Sequence, residues 1–340
     1  MRFPLSLTLS MGRYILRKRL AGVRRYPLVL MLEPLFQCNL HCTGCGRIRE
    51  YADHLRERLS LEECFDSASA CGAPIVSVCG GEPLLYPEIG ALVRGLTDVQ
   101  KRHVYLCTNG LLLKKSVEST IFRPTSRFFI NVHLDGLAAN HDASTGREGV
   151  FDAAVEGIQA AVAAGFQVCT NTTLYKESSV EEIVQLCEFL ESVGVRGLML
   201  APAFSYETFD EPTSEELFLQ RAEVHEKFRE LEKRLRGCRL VTTPLYMDFL
   251  TGRRELPCAT WANPTRNVCG WKSPCYLLTD AHYPTWEEML EKTPWEQYGP
   301  QGSDPRCRNC MMHCGFEPGA VLVTNENLWQ ALRMAWWQMF

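Results

Sequence analysis

Six short apolar runs, each closed by a polar or glycine-bearing turn, restrict this chain to the α/β class. The runs fall at 28–32, 75–79, 104–107, 128–134, 167–173 and 197–201. Helical patterns separate them: Ser60 with Glu63 opens one as a capping box, and others cover about 89–99, 151–164 and 180–193. Strands alternating with helices imply right-handed crossovers and a parallel sheet buried on both faces. The turns hold Cys38, Cys42 and Cys45, then Gly80-Gly81-Glu82-Pro83, Thr108-Asn109-Gly110 and Asp135-Gly136. Chemistry placed at strand C-termini favours a partial, TIM-like (β/α)6 barrel over an open sheet.

The first turn is the most specific. Three thiolates spaced C-x3-C-x2-C can hold an iron-sulfur cubane and leave one iron open to a small molecule. A zinc site is the other use of such a cluster. At the end of the second run, Gly80 and Gly81 permit close backbone approach, and Glu82 can accept a hydrogen bond from an ammonium group.

Composition narrows the function classes. A net charge of -4 argues against a nucleic-acid binder that relies on a general basic surface. Sixteen cysteines in 340 residues, with no apolar run long enough for a signal or spanning helix, point to a reducing cytoplasm with cysteines used for metal or buried as small hydrophobes. Cys64, Cys71, Cys169, Cys187 and Cys238 suit the second use.

The chain divides into an N-terminal helix (1–26), a barrel (27–203) and a cysteine-rich C-terminal module (204–340). Residues 11–25 carry six basic side chains and no acidic one, with Tyr14, Leu16, Leu20 and Val23 at helical intervals. Such a helix can lie on an anionic membrane or pack its apolar stripe on the barrel. The tail Leu328, Trp329, Leu332, Met334, Trp336, Trp337, Met339 and Phe340 suits a membrane interface or an apolar groove. Between them, residues 215–236 form a charged helix. Cys258, Cys269, Cys275, Cys307, Cys310 and Cys314 exceed the four thiolates of a second metal site, and His313 could also ligate. An auxiliary iron-sulfur cluster, structural zinc and a metal-free packed tail are the alternatives.

The three-cysteine loop followed by Gly80-Gly-Glu-Pro resembles the radical S-adenosylmethionine (SAM) superfamily. That resemblance implies a [4Fe-4S] cluster on Cys38, Cys42 and Cys45 whose free iron chelates SAM, and Gly80, Gly81, Glu82 and Pro83 around its methionine amino group. It also places Asn109, Asp135 and Asn171, at later strand ends, in the rest of the SAM pocket; each could instead cap a following helix. One departure is Gly44, where the superfamily usually has an aromatic residue near the adenine. Further elements, among them Glu33-Pro-Leu-Phe, Leu106-Cys-Thr-Asn, His133-Leu-Asp-Gly, Pro244-Leu-Tyr-Met-Asp-Phe-Leu, Gly270-Trp-Lys-Ser-Pro-Cys-Tyr-Leu and Cys307-Arg-Asn-Cys-Met-Met-His-Cys, are similar to the adenosylhopane synthase family.

That family adds the 5′-deoxyadenosyl radical to the terminal alkene of diploptene, a hopene lipid, and quenches the product radical with a cysteine thiol. The resemblance assigns the quench to Cys107, whose plainer role is a buried apolar cysteine. It implies a flavodoxin- or ferredoxin-type electron donor and possible peripheral association with the inner membrane face. A greasy pocket lined by Phe204, Tyr206, Tyr246, Trp261 and Trp271 is expected. The alternative is a SPASM-like radical SAM oxidase or maturase that abstracts hydrogen and uses an auxiliary cluster.

Overall fold

The computed structural model describes residues 3–324 and 327–339. Phe340 of the apolar tail lies outside them. Six parallel strands follow one another across the sheet in chain order: β1 Val29–Leu32, β2 Ile75–Val78, β3 His103–Thr108, β4 Phe128–His133, β5 Gln167–Leu174 and β6 Gly197–Pro202. Each lies within two residues of its expected bounds. Neighbour-to-neighbour order, with a helical return in every connection, is the partial barrel that the alternation implies.

Burial is not equal on the two faces. β1, β2 and β5 alternate half-buried and buried residues along their length. The buried set, including Leu30, Leu32, Val76, Val78, Val104 and Leu106, packs in one core with the returning helices. The alternate set, Met31, Ser77, Cys107, Asn131, His133, Cys169 and Asn171, lines a concave face that is only half covered. The inner face is therefore the less buried of the two, which keeps room for chemistry there.

The region beyond β6 is not a separate layer. β7 Thr265–Asn267 pairs parallel with β1, and β8 Gly270–Pro274 and β9 Thr279–Tyr283 continue antiparallel, giving a nine-stranded sheet ordered β6-β5-β4-β3-β2-β1-β7-β8-β9. Leu28 and Met31 donate backbone N–H groups to the carbonyls of Ala262 and Pro264. The strand that carries the cysteine loop is thus held from both sides.

Two helical expectations need correction. The charged window 215–236 is two helices, Glu211–Leu217 and Arg221–Arg234. Between them Phe218 and Leu219 are both buried, and Gln220 opens the second helix with a capping box to Glu223. The N-terminal helix runs Leu5–Leu20, beginning after Pro4, earlier than the basic segment suggests. It pairs with the C-terminal helix Leu328–Met339: the Gln338 amide exchanges hydrogen bonds with the Phe3 backbone, and Phe3 meets Trp337 edge to face at 5.9 Å.

Candidate radical-SAM active site

The cysteine loop leaves β1 and folds against three other strand ends. Thr43 N–H donates to the Ser144 carbonyl, and Cys45 N–H donates to that of Cys42, which closes a tight turn. Arg49 returns from the following short helix Arg47–Glu50 and donates to the carbonyls of Cys42 and Cys45. Burial, and then the neighbouring thiols, push Cys42 up to about 12, and burial chiefly raises Cys38 to about 11. Thiols gathered this closely disfavour ionisation together until a cation neutralises them.

Among the described residues, no three His, Cys, Asp or Glu side chains are close enough to hold a single metal ion. Three soft thiol donors on one loop suit an iron-sulfur cage with its fourth iron open.

Gly80 and Gly81 are required by a close approach. Gly80 has φ +114°, and a Cβ there would strike the Leu35 carbonyl; at Gly81 it would strike those of Phe36 and Gln37. In return, Gly81 and Glu82 donate N–H bonds to Leu35 and Gln37. The β2 turn is therefore locked onto the stretch that leads into the cysteine loop, and Pro83 starts a one-turn 3-10 helix.

Glu82 is 1% exposed, and burial raises its pKa. Its Oε1 accepts from Thr108 Oγ1 (2.7 Å) and Leu84 N (3.0 Å), and its Oε2 accepts from Asn109 N (2.8 Å). Those bonds use three of the four lone-pair positions of a carboxylate, which leaves one on Oε2 for an outside ammonium.

Asn109 joins the two turns: its Nδ2 donates to Asn39 Oδ1 at 2.8 Å and approaches Cys38 Sγ at 3.9 Å. It also caps its own turn, since Leu111 N–H donates to its Oδ1. Asp135 is engaged within the fold. Its Oδ1 accepts from Thr173 N, and its Oδ2 meets His133 Nε2 at 2.8 Å. Burial works against charge on His133, but the Asp135 carboxylate raises its pKa overall. Asn171 Nδ2 reaches His133 Nδ1 at 3.4 Å, while its buried Oδ1 has no hydrogen-bond partner. Of these three residues, Asn171 retains a free acceptor.

Cys107 lies on the concave face of β3. Its Sγ is 3.2 Å from Ser77 Oγ on β2 and 3.6 Å from Asn131 Nδ2 on β4. Burial raises its pKa, so it remains a thiol at neutral pH.

Two tyrosines at this site have no motif. A Cβ at Gly44 would overlap the Tyr175 phenol, and one at Gly46 would overlap the Tyr206 ring. The aromatic group missing at position 44 is thus supplied from beyond β5, on the same side of the loop. The Gly44-Cys45-Gly46 triplet was the available signal for both rings.

The arginine that follows was also missed. Arg47 is 1% exposed; its Nε lies 2.9 Å from Glu33 as an ion pair, Nη1 donates to Glu50 at 2.9 Å, and the guanidinium lies 3.8 Å over the Tyr276 ring. Lys272 on β8 completes the cluster at 2.8 Å from Glu50, with its pKa lowered to about 8 by burial and then by Arg47.

The comparisons with known proteins fit this geometry. Residues 32–190 match the model of the Radical SAM superfamily. The barrel is a radical SAM domain. Its cofactors are a [4Fe-4S] cluster and SAM. Residues 198–334 match a domain of unknown function, DUF3463.

Among curated relatives, an AdoMet-dependent heme synthase of Methanosarcina barkeri is 31% identical over 172 residues, covering 49% of this chain and 48% of that protein. A GTP 3′,8-cyclase 1 of Mycobacterium tuberculosis is 30% identical over 174 residues, 48% of each. The chain thus spans about half the length of the curated relatives it matches. Among solved structures, SuiB of Streptococcus suis bound to its precursor peptide SuiA aligns with TM-score 0.64 at 15% identity, over 92% of this chain and 76% of that one. That likeness is one of fold.

The expected apolar liners scatter. Phe204 and Tyr206 pack with the C-terminal cysteines, and Trp261 lines a separate pocket beside Cys258. Tyr246 is core, its hydroxyl donating to the Met311 carbonyl; Trp271 packs on Trp286, and Trp261 on Tyr26. Cys269 also leaves the C-terminal cysteines, its N–H bonded to Asn267 Oδ1.

Proposed function

We propose that this protein joins the 5′-deoxyadenosyl group of SAM to the terminal alkene of a hopene such as diploptene. When bound, the cluster supplies the electron that cleaves SAM to methionine and the 5′-deoxyadenosyl radical. The chain's own residues do the rest. Glu82 and Asn171 offer acceptors to SAM, and Tyr175 offers a ring near the cysteine loop. Adding the radical to the terminal carbon breaks the π bond, forms a carbon-carbon bond and leaves a tertiary radical. Cys107 then gives up its S–H hydrogen atom, which closes the product and leaves a sulfur radical. One further electron and one proton, from a flavodoxin- or ferredoxin-type donor and solvent, restore the thiol.

The observation that carries this reading is Cys107, a protonated thiol on the concave face between Ser77 and Asn131. Hydrogen transfer from sulfur to a tertiary carbon is downhill, so the thiol suits a quench. A lipid substrate gains support from the paired terminal helices. Leu9, Leu16, Leu20, Trp329, Leu332 and Trp336 are more than half exposed, and Arg13, Arg17, Lys18 and Arg24 accompany them. Apolar and basic side chains together suit an anionic bilayer. Among the described residues no helix is long and apolar enough to cross one.

A second reading, a SPASM-like oxidase or maturase, is favoured by the cysteines gathered in the C-terminal region and by the likeness in fold to SuiB. The deciding experiment is anaerobic incubation of the reduced protein with SAM and diploptene, followed by mass analysis of the lipids. An adenosylated lipid supports addition. Free 5′-deoxyadenosine with no lipid adduct overturns addition in favour of hydrogen abstraction.

A further inference from the structure

Apart from the barrel, the described residues gather thiols at one other place. Cys258, Cys275, Cys307, Cys310 and Cys314 come from the loop before β7, the end of β8, a 3-10 turn and the start of helix His313–Thr324. All five line a single cavity of about 30 Å³, together with Phe204, Leu277 and Met312. The sequence spreads them over 57 residues (314 − 258 + 1), so their meeting is a property of the fold.

The backbone makes room for them. A Cβ at Gly315 would overlap Cys258 Sγ, and Gly299, at φ +89°, brings its backbone against Cys258 Cβ. Within the cavity Cys258 is raised by burial and then by Cys310, Cys275, Cys314 and Cys307. No disulfide joins any of them.

Five thiols round an enclosed space admit two kinds of metal. A tetrahedral zinc needs its sulfurs about 2.3 Å from the ion and therefore within about 4 Å of one another. Among the described residues, no group of three His, Cys, Asp or Glu side chains is placed to hold a metal ion as it stands, so the number and softness of the thiols carry the choice. A cubane separates its sulfur ligands more widely and suits soft donors in an apolar wall.

The cavity also lies one side-chain layer from the barrel site. Tyr206 covers Gly46 beside Cys45 and also packs against the apolar cluster that contains Cys307 and Cys314. Tyr276, 6.0 Å from Tyr206 between ring centroids, stacks on the Arg47 guanidinium. The layer between the two sites is thus an aromatic pair and one buried cation.

We propose that Cys258, Cys275, Cys307, Cys310 and Cys314 enclose a second iron-sulfur cluster, separated from the first by Tyr206, Tyr276 and Arg47. Four thiolates cap every iron of a cubane, so this cluster has no open corner for SAM, and the fifth cysteine is a spare. The inference holds for either reaction considered above.

The test is metal content. The full-length chain carrying Cys38→Ser, Cys42→Ser and Cys45→Ser is reconstituted anaerobically with ferrous iron and sulfide. About four irons and four sulfides per chain are expected to remain, with visible absorption that dithionite bleaches. Absence of iron in a folded triple variant, or one zinc without sulfide, overturns the proposal. Should that variant fail to fold, Cys275→Ser with Cys310→Ser in the intact chain provides the second measurement. Iron falling from about eight to about four, with SAM still bound in equilibrium dialysis, supports the site. Unchanged iron overturns it.

Discussion

Cys107 Sγ lies 3.2 Å from the Ser77 hydroxyl on the neighbouring strand, and this hydrogen bond, in which either group can donate, holds the thiol side chain in place. In D2O the thiol exchanges to S–D, and the quench then places one deuterium on the product carbon. Cys107→Ala is expected to retain SAM cleavage and radical addition while most of the saturated adduct is lost. Ser77→Ala keeps the thiol but frees its rotamer, and a mixture of epimers is expected. Undiminished saturated product from Cys107→Ala, read by mass spectrometry, would remove the thiol from the mechanism.

Gly46 and Tyr206 form a steric pair. Gly46→Ala overpacks the cysteine loop and is expected to cost about 1–3 kcal/mol, read as a lowered melting temperature. Tyr206→Ala opens the space that the new methyl needs. The double variant should therefore be more stable than the sum of the single losses predicts, and strict additivity would show that the two groups do not touch.

Glu317 governs an acid-side pH dependence. Burial pushes its carboxyl up to about 7, although it accepts from Thr243 N (3.0 Å) and Thr243 Oγ1 (2.7 Å). A raised carboxyl binds its proton more tightly in the fold than in the unfolded chain. Its stabilising contribution is full below about 4.5 and is lost as pH rises through about 7. Glu317→Gln should flatten that part of the stability profile and gain about 3 kcal/mol relative to wild type at pH 8. Parallel profiles for the two proteins would refute this.

Paired terminal helices predict salt-sensitive membrane binding. The protein should float with vesicles of phosphatidylcholine and phosphatidylglycerol, less with phosphatidylcholine alone, and lose binding in high salt. Trp329→Gln with Trp336→Gln should weaken flotation even at low salt, and neutralising Arg17 and Lys18 should cost about fivefold each. Partitioning that ignores both lipid charge and the tryptophans would return these helices to a packing role.

The strands and their turns were legible because each apolar run ends in residues with few structural uses, as at Gly80, Gly81 and Glu82. Local signals stopped where contacts became distant. Nothing near Tyr175 or Tyr206 announces that each ring rests on a glycine of the cysteine loop, since more than 100 residues intervene. The helix at 215–236 was misjudged for the opposite reason. Its charges fit one helical pattern, and the break depends on burying the adjacent pair Phe218 and Leu219, which no single helix face accommodates. Lys272 shows a third limit, because a lysine on a short strand looks solvent-facing until its partners, Glu50 and the Tyr276 carbonyl, are in place. Likewise the five C-terminal cysteines were identifiable as a set, but the exclusion of Cys269 required the turn at Asn267.

The β1–β7 pairing makes the order of synthesis matter. As the chain leaves the ribosome, the strand that bears Cys38, Cys42 and Cys45 has an open hydrogen-bonding edge until Thr265–Asn267 emerges to cover it. A cut within 191–197, between the two family matches, would leave that edge permanently bare. The two halves are therefore poor candidates for separate expression, and the cysteine loop is completed only once the later half of the chain has been made.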